Sequence, residues 1–365
     1  MRAAATLAED LGSSTFLITN PVDVAYLTGF HGGDSYLLLA GSAGGGGKPL
    51  IISDFRYQEE LAPLEGTCEI RIRKRSMTEA ISDVLKERGT RGLAVQAEHL
   101  TLALAGSLGK AAAGVKLQHT SGLVSQLRAI KDASEVALIR KAIAIQEEAL
   151  EETLPRIGRA LAKDGNITEM KIAAMLEEAM KSRGSSKPGF ETIIGAKTNG
   201  SLPHYRPQNT KLTRNSALLI DWGAIYHGYH GDMTRVVCFG KWPRKIAEIY
   251  EIVLEAHERA AAALAPGKST AEIDAIARDH IKSAGYGDYF GHGLGHGMGL
   301  DGHEEPRLTN MLSGTALAPG HVVTIEPGIY LPGIGGVRIE DDFLITAKGA
   351  ENLCRLPKSL KWATR

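Results

Sequence analysis

The sequence predicts two domains, a small α/β domain over residues 1–125 and a larger α+β domain over 126–365. Three observations carry that prediction. A length of 365 residues suits about two domains at roughly 150 residues each. The first third alternates short apolar runs with helix-like stretches, as an α/β layer does. Beyond it, long helical stretches stand apart from β-rich segments at 189–197, 216–240 and 321–347, which is the α+β pattern.

In the first part, SSTFLIT, SYLLLA, PLIIS and RGLAV are apolar or β-branched runs bounded by Gly, Asn, Asp or Pro, and they read as strands. Apolar spacing predicts helices over Met77–Lys86 and around Leu100–Lys110. The run GSAGGGGK at 41–48 reads as a flexible loop between strands. It lacks the GxxxxGK[ST] spacing and opens no helix, so it is not a phosphate loop. The boundary falls in TSGLVSQLRAIKD. Helices follow over Ser134–Pro155, Ile167–Arg183 and Arg244–Leu264, the last stopped by Pro266-Gly267. Ser269 and Glu272 have capping-box spacing and open another helix to about Ala284.

Composition excludes several function classes. Hydrophobic residues make up 43% and charged residues 23%, values of an ordinary globular chain. Lys+Arg and Asp+Glu both number 42, so nothing favours a nucleic acid or an anionic membrane as partner. Cys68, Cys238 and Cys354 are odd in number and lack CxxC spacing, which fits neither a disulfide scaffold nor a thiolate zinc site. Glu9 and Asp10 arrive before any apolar run long enough for a signal peptide. These readings point to a soluble, cytoplasmic protein.

The chemistry concentrates in the second domain. Nine of the 12 histidines lie between His204 and His321, and His292, His296 and His303 share one stretch, GHGLGHGMGLDGH. Alternate glycines prevent an ordinary helix there and let backbone and imidazoles crowd together. Asp221 ends the apolar run SALLI, and Asp232 follows after WGAIYHGYHG. A hairpin turning between Tyr226 and His227 would set these acids directly opposite each other. Glu326 interrupts HVVTIEPGIY, and Glu340 interrupts GVRIEDDFLI, symmetric about Gly333. Four carboxylates so paired would repel, and with one imidazole they suit two divalent cations. Oxygen-rich ligation favours Mn²⁺ or Co²⁺, with Zn²⁺ as a further option.

The order Asp and Asp in LIDWGAIYHGYHGDMTR, His in GHGLGHGMGLDGHEEP, Glu in IEPGIY and Glu in GVRIED resembles the pita-bread metallopeptidases, within them the Xaa-Pro aminopeptidase and prolidase branch. AYLTGFHGGDSYLLLA and IISDFRY are similar to the creatinase-type amino-terminal domain. The resemblance implies a pita-bread catalytic domain holding two metal ions, Mn²⁺ first. It implies that Asp221 binds one metal, Asp232 and Glu340 bridge both, and His296 and Glu326 bind the other. His204, His292, His303, Glu326 and Arg338 become the catalytic residues.

The reaction so implied is hydrolysis of the bond before proline in proline-containing peptides by a homodimeric enzyme, with a metal-bridging hydroxide as nucleophile. His204 and His303 would stabilise the oxyanion, and Glu326 would pass the proton to the leaving nitrogen. The amino-terminal pattern leans towards the aminopeptidase. The alternative is the dipeptidase, which needs a cation for the proline carboxylate, with Arg307 in HEEPR as candidate. A non-catalytic binding module with the same fold ranks behind both.

Overall fold

The computed structural model describes residues 15–40, 48–163 and 165–365. Residues 1–14 and 41–47 lie outside the described residues, and with them the readings of the amino terminus and of the glycine-rich loop. The chain forms two units, Met1–Arg128 and Ala129–Arg365.

The first unit is a six-stranded mixed sheet. Its strands are β1 (Thr15–Ile18), β2 (Tyr36–Ala40), β3 (Leu50–Ser53), β4 (Glu69–Ile72), β5 (Gly92–Gln96) and β6 (Lys116–Thr120), in the order β4-β3-β2-β1-β5-β6. The central strands are apolar on both faces because helices cover both. Phe16, Ile18, Leu37 and Leu39 pack with Val24 and Leu27 of α1 (Pro21–Thr28). Leu17, Leu38, Ile52 and Val95 pack with Ile81 and Val84 of α2 (Met77–Glu87) and Leu108 of α3 (Leu102–Ala111).

The sequence leaves β4 and β6 unmarked for a physical reason. They are the sheet edges, largely half-exposed, so EIRI and KLQHT need no apolar run. Helix α1 is also unmarked, although Asn20 caps it by accepting from the Val22 N–H at 3.0 Å and Gly29 ends it at φ 77°. A last helix, α4 (Leu123–Ala129), leads out of the unit.

The second unit layers helices on antiparallel sheets. Helix α5 (Ala133–Lys163) runs past Pro155, where the expected helix stops. Pro155 is exposed, and the apolar stripe Leu150, Leu154, Ile157, Leu161 continues across it. Burying those side chains offsets the roughly 3 kcal/mol a helical proline costs. Helices α6 (Glu169–Ser182), α7 (Arg244–Ala263) and α8 (Thr270–Ser283) follow, the last opened by a capping box at Ser269 and Glu272.

One sheet joins β7 (Ile193–Ala196), β8 (Ala217–Trp222) and β11 (Met233–Cys238), with the short pair β9 (Ile225–Tyr226) and β10 (Tyr229–His230) at the turn between β8 and β11. Leu218 and Ile220 pack with α5 and α6, while Ala217 and Leu219 pack with α7 and α8. A five-stranded sheet runs β13-β12-β14-β17-β18, from β12 (Gly295–Gly297), β13 (Glu304–Leu308), β14 (Val322–Ile325), β17 (Asp341–Thr346) and β18 (Gly349–Asn352). Between β14 and β17 rises the ribbon β15 (Gly328–Leu331) and β16 (Gly335–Arg338).

The two acidic hairpins differ in how well the sequence predicts their register. In the second, Gly328 pairs with Arg338 and Ile325 with Asp341. Glu326 and Glu340 occupy the matching break between these ladders, symmetric about Gly333 as the spacing predicts.

The first hairpin corrects the expectation. Asp221 pairs with Thr234, not with Asp232, because the turn is His227-Gly228 with φ of 47° and 85°. A turn with positive φ at both central residues puts glycine second, which moves the register by two residues. Side chains alternate with a period of two, so Asp232 keeps the face of Thr234 and Asp221.

Candidate metal centre and its cavity

The acids are delivered by strand ends that meet beside β12. Close backbone approach makes this possible: a Cβ on Gly295 would lie 2.0 Å from the Thr324 carbonyl oxygen, and one on Gly297 would lie 2.1 Å from that of Glu305. Only glycine fits at either position. His296 sits between them and projects into a cavity of about 560 Å³. Asp221, Asp232, Glu326 and Glu340 line that cavity, as do His204, His292, His303 and Arg338. The nine residues expected to bind metal or act in catalysis therefore share one cavity.

The ligating atoms of Asp232, His296 and Glu340 lie within 4.8 Å of one another. His296 Nε2 stands 3.4 Å from Glu326 Oε1 and 3.8 Å from Asp232 Oδ2. Its Nδ1 is 3.0 Å from the Gly297 carbonyl oxygen, which can only accept. The proton therefore sits on Nδ1, and Nε2 offers its lone pair to the acids. Burial, then His303, pushes the imidazole pKa down to about 3, so it stays neutral and fit to bind a metal.

The carboxylates move the other way. Burial and then Glu340 and Asp221 raise Asp232 well above the usual range, and burial and then Glu340 do the same to Glu326. Glu340 is pushed up to about 8 by burial and Asp221. Asp221 is raised by burial, although Arg338 opposes the shift. Asp221 Oδ1 is buried with no hydrogen-bond partner. An orphaned carboxylate oxygen, a bare imidazole nitrogen and four crowded acids together form a donor set that divalent cations fit.

Residues that the sequence does not mark brace these side chains. Thr234 donates to Glu340 Oε2 at 2.7 Å and accepts from Arg338 Nε at 3.0 Å. Arg338 Nη2 bonds Asp221, and Nη1 donates to the Tyr330 hydroxyl at 2.8 Å. His292 Nδ1 lies 2.8 Å from the Gly293 carbonyl oxygen, so its Nε2 accepts from Tyr330, 2.9 Å away. Thr234 was findable as the same-face neighbour of Asp232; Tyr330 carries no such signal.

His303 stacks edge-on against His296, with ring centroids 4.1 Å apart. Arg307 pairs with His296 across β12 and β13 and lines the cavity. The sequence offers no second basic residue near Arg307, but the fold brings Arg206 to the cavity wall beside Glu191, 3.0 Å away.

Residues 137–347 match the model of metallopeptidase family M24, and residues 1–130 match that of the creatinase/prolidase N-terminal domain. The Xaa-Pro dipeptidase of Pyrococcus furiosus is 36% identical over 344 residues, covering 94% of each chain. Among solved structures, an Xaa-Pro dipeptidase from Bacillus anthracis superposes with a TM-score of 0.92 at 34% identity, covering 98% of both chains. An X-Pro aminopeptidase from Thermotoga maritima superposes at 0.85 and 33% identity, covering 97% of this chain and 99% of that one. These matches bear out the resemblance and the α+β class. The amino-terminal model is named for prolidases too, so that domain no longer favours the aminopeptidase. Among the described residues, no helix is long and apolar enough to cross a membrane.

Proposed function

The chain belongs to metallopeptidase family M24, and from that premise we propose that it is an Xaa-Pro dipeptidase. Arg307 carries the reading. It stands across the strand pair from His296 and close enough to His303 to depress that imidazole's pKa, after the effect of burial. A guanidinium there can meet the carboxylate of a carboxyl-terminal proline in a charge-assisted pair.

Asp221, Asp232, His296, Glu326 and Glu340 would hold two divalent cations, Mn²⁺ first, with Co²⁺ or Zn²⁺ as alternatives. Bound there, the cations would supply an activated water and polarise the scissile carbonyl. The protein's own groups do the rest. His204 and His303, on loops at the cavity wall, donate hydrogen bonds to the acyl oxygen as charge develops. Glu326 takes a proton from the attacking water and delivers it to the proline nitrogen, which otherwise would leave as a poor amide anion. Arg338 holds Asp221 and Tyr330, and Tyr330 holds His292. Three free, buried cysteines suit the cytoplasm, and a homodimer remains part of the proposal.

Hydrolysis of Ala-Pro and Ala-Pro-Ala, with bound metal measured alongside, tests the reading. Ala-Pro should be cleaved and Ala-Pro-Ala refused, and Arg307→Ala should raise KM for Ala-Pro about tenfold or more. Efficient release of alanine from Ala-Pro-Ala, untouched by Arg307→Ala, would favour the second reading. That reading is the Xaa-Pro aminopeptidase, supported by the Thermotoga maritima likeness.

A further inference from the structure

His204 is an exposed cavity residue with no hydrogen-bond partner among the described residues. It nevertheless lies near enough to Asp221 to act on its charge. What fixes its position must therefore be the backbone that carries it, residues 196–210.

That backbone is wrapped around one buried carboxylate. Glu169, the first residue of α6, is 0% exposed and outside the cavity lining. Its Oε1 accepts from the Ala196 N–H at 2.8 Å and from Asn199 Nδ2 at 2.9 Å. Its Oε2 accepts from the Tyr205 hydroxyl at 2.9 Å and from the Gln208 N–H at 3.1 Å. Asn199 Nδ2 also reaches the Tyr205 oxygen at 2.8 Å. The Glu169 and Met170 N–H groups donate to the carbonyls of Thr210 and Gln208. The bonds to the carboxylate bracket His204 on both sides. Between them Lys197 holds φ 57°, a conformation a lysine keeps only where its surroundings impose it.

A carboxylate with four donors on it is fully satisfied, and a four-bonded anion is a rigid anchor. A surface-stability role would not need all four bonds to converge on a single segment that carries a cavity histidine. We propose that Glu169 is a positioning residue of this site, its carboxylate setting the loop that presents His204 and Tyr205 to the substrate. The proposal rests on the reading of His204 as a substrate contact.

The test uses the full chain loaded with Mn²⁺, comparing the parent with Glu169→Gln, His204→Ala and the double variant. The glutamine amide would face the Gln208 N–H donor to donor, so amide hydrogen exchange should accelerate over 196–208. Exchange in β14 and β17 and the metal content should stay unchanged. For Ala-Pro, misplacing a positioned group by about 1 Å costs up to roughly 10²-fold. We expect Glu169→Gln to lower kcat/KM by about tenfold or more in the parent, and by less than about twofold on the His204→Ala background.

Unchanged exchange over 196–208, or equal losses on both backgrounds, would overturn the proposal. If the parent hydrolyses no Xaa-Pro peptide, the functional reading fails, and the exchange measurement still decides whether Glu169 holds the loop. Should Glu169→Gln not fold, Asn199→Ala removes the amide joining Glu169 to Tyr205 and carries the same two readouts.

Discussion

Glu340 and Asp341 are consecutive residues, both fully buried, and their surroundings are opposite. Asp341 Oδ1 accepts from Arg235 Nη2 at 2.6 Å, and Oδ2 accepts from Lys358 Nζ at 2.7 Å and Asn352 Nδ2 at 2.8 Å. Arg235, itself 0% exposed, also donates to the carbonyls of Thr234, Glu340, Leu356 and Pro357. Burial alone would raise the Asp341 pKa, but Arg235, His257 and Lys358 more than offset it and hold the carboxyl below the usual range. Glu340 turns to the other side of the strand. There its side chain accepts one bond, from Thr234, and faces Asp221, Asp232 and Glu326. One cluster is neutralised by the protein's own cations and holds strands together. The other has Arg338 as its one bonded cation, on Asp221, and the crowded carboxyls are pushed towards protonation, a state that bound cations would reverse.

The sharpest way to break this contrast is Arg235→Met. It leaves Asp341 buried beside half its compensation, and breaking such a pair costs about 3–5 kcal/mol. Urea denaturation of metal-free and metal-loaded protein should show that loss in both forms. A loss below about 1 kcal/mol would mean that Lys358 suffices and the two clusters differ less than their geometry implies.

Metal removal acts on the other cluster. A ligand that binds only the native state adds about 2.7 kcal/mol at a hundredfold excess over Kd. Chelation should therefore lower Tm and abolish peptide hydrolysis, and Mn²⁺ should restore both. The Arg235→Met variant should recover the same increment on metal addition, since its lesion lies in the neighbouring cluster. A Tm indifferent to exhaustive chelation would remove the argument for cations.

A third effect is in pH. In metal-free protein the folded pKa of Glu340 is raised to about 8 from 4.5. Its contribution is thus fully present below the unfolded pKa and is lost as pH rises towards 8. Asp341 is depressed, so its contribution is present above about pH 4 and is lost in acid. Stability of the metal-free protein, followed by denaturant midpoint, should fall from pH 5 to pH 9, whereas bound Mn²⁺ should flatten that fall. Rising stability over the same range would show that the acid cluster is already compensated without metal.

Much of the site is legible in the sequence because each acid breaks an apolar run, and a carboxylate in a buried strand demands a reason. The Glu326–Glu340 hairpin is legible to the residue, since β15 and β16 turn symmetrically about Gly333. The Asp221–Asp232 hairpin is legible in its face and wrong by two in its register. Setting the two acids face to face centres the turn between Tyr226 and His227, whereas backbone conformation at His227-Gly228 decides it.

What the sequence by itself determined is therefore what local rules govern: the strands buried on both faces, a capped helix start such as that at Ser269, and the acids and histidines that the cavity gathers. Tertiary structure alone decided which charges are cancelled. Arg235 meets Asp341 across 106 positions, Glu169 meets Tyr205 across 36, and Thr234 meets Glu340 across 106. No periodicity encodes such meetings, because a hydrogen bond depends on separation in space at the scale of an ångström. Local sequence sets only which face a side chain points to.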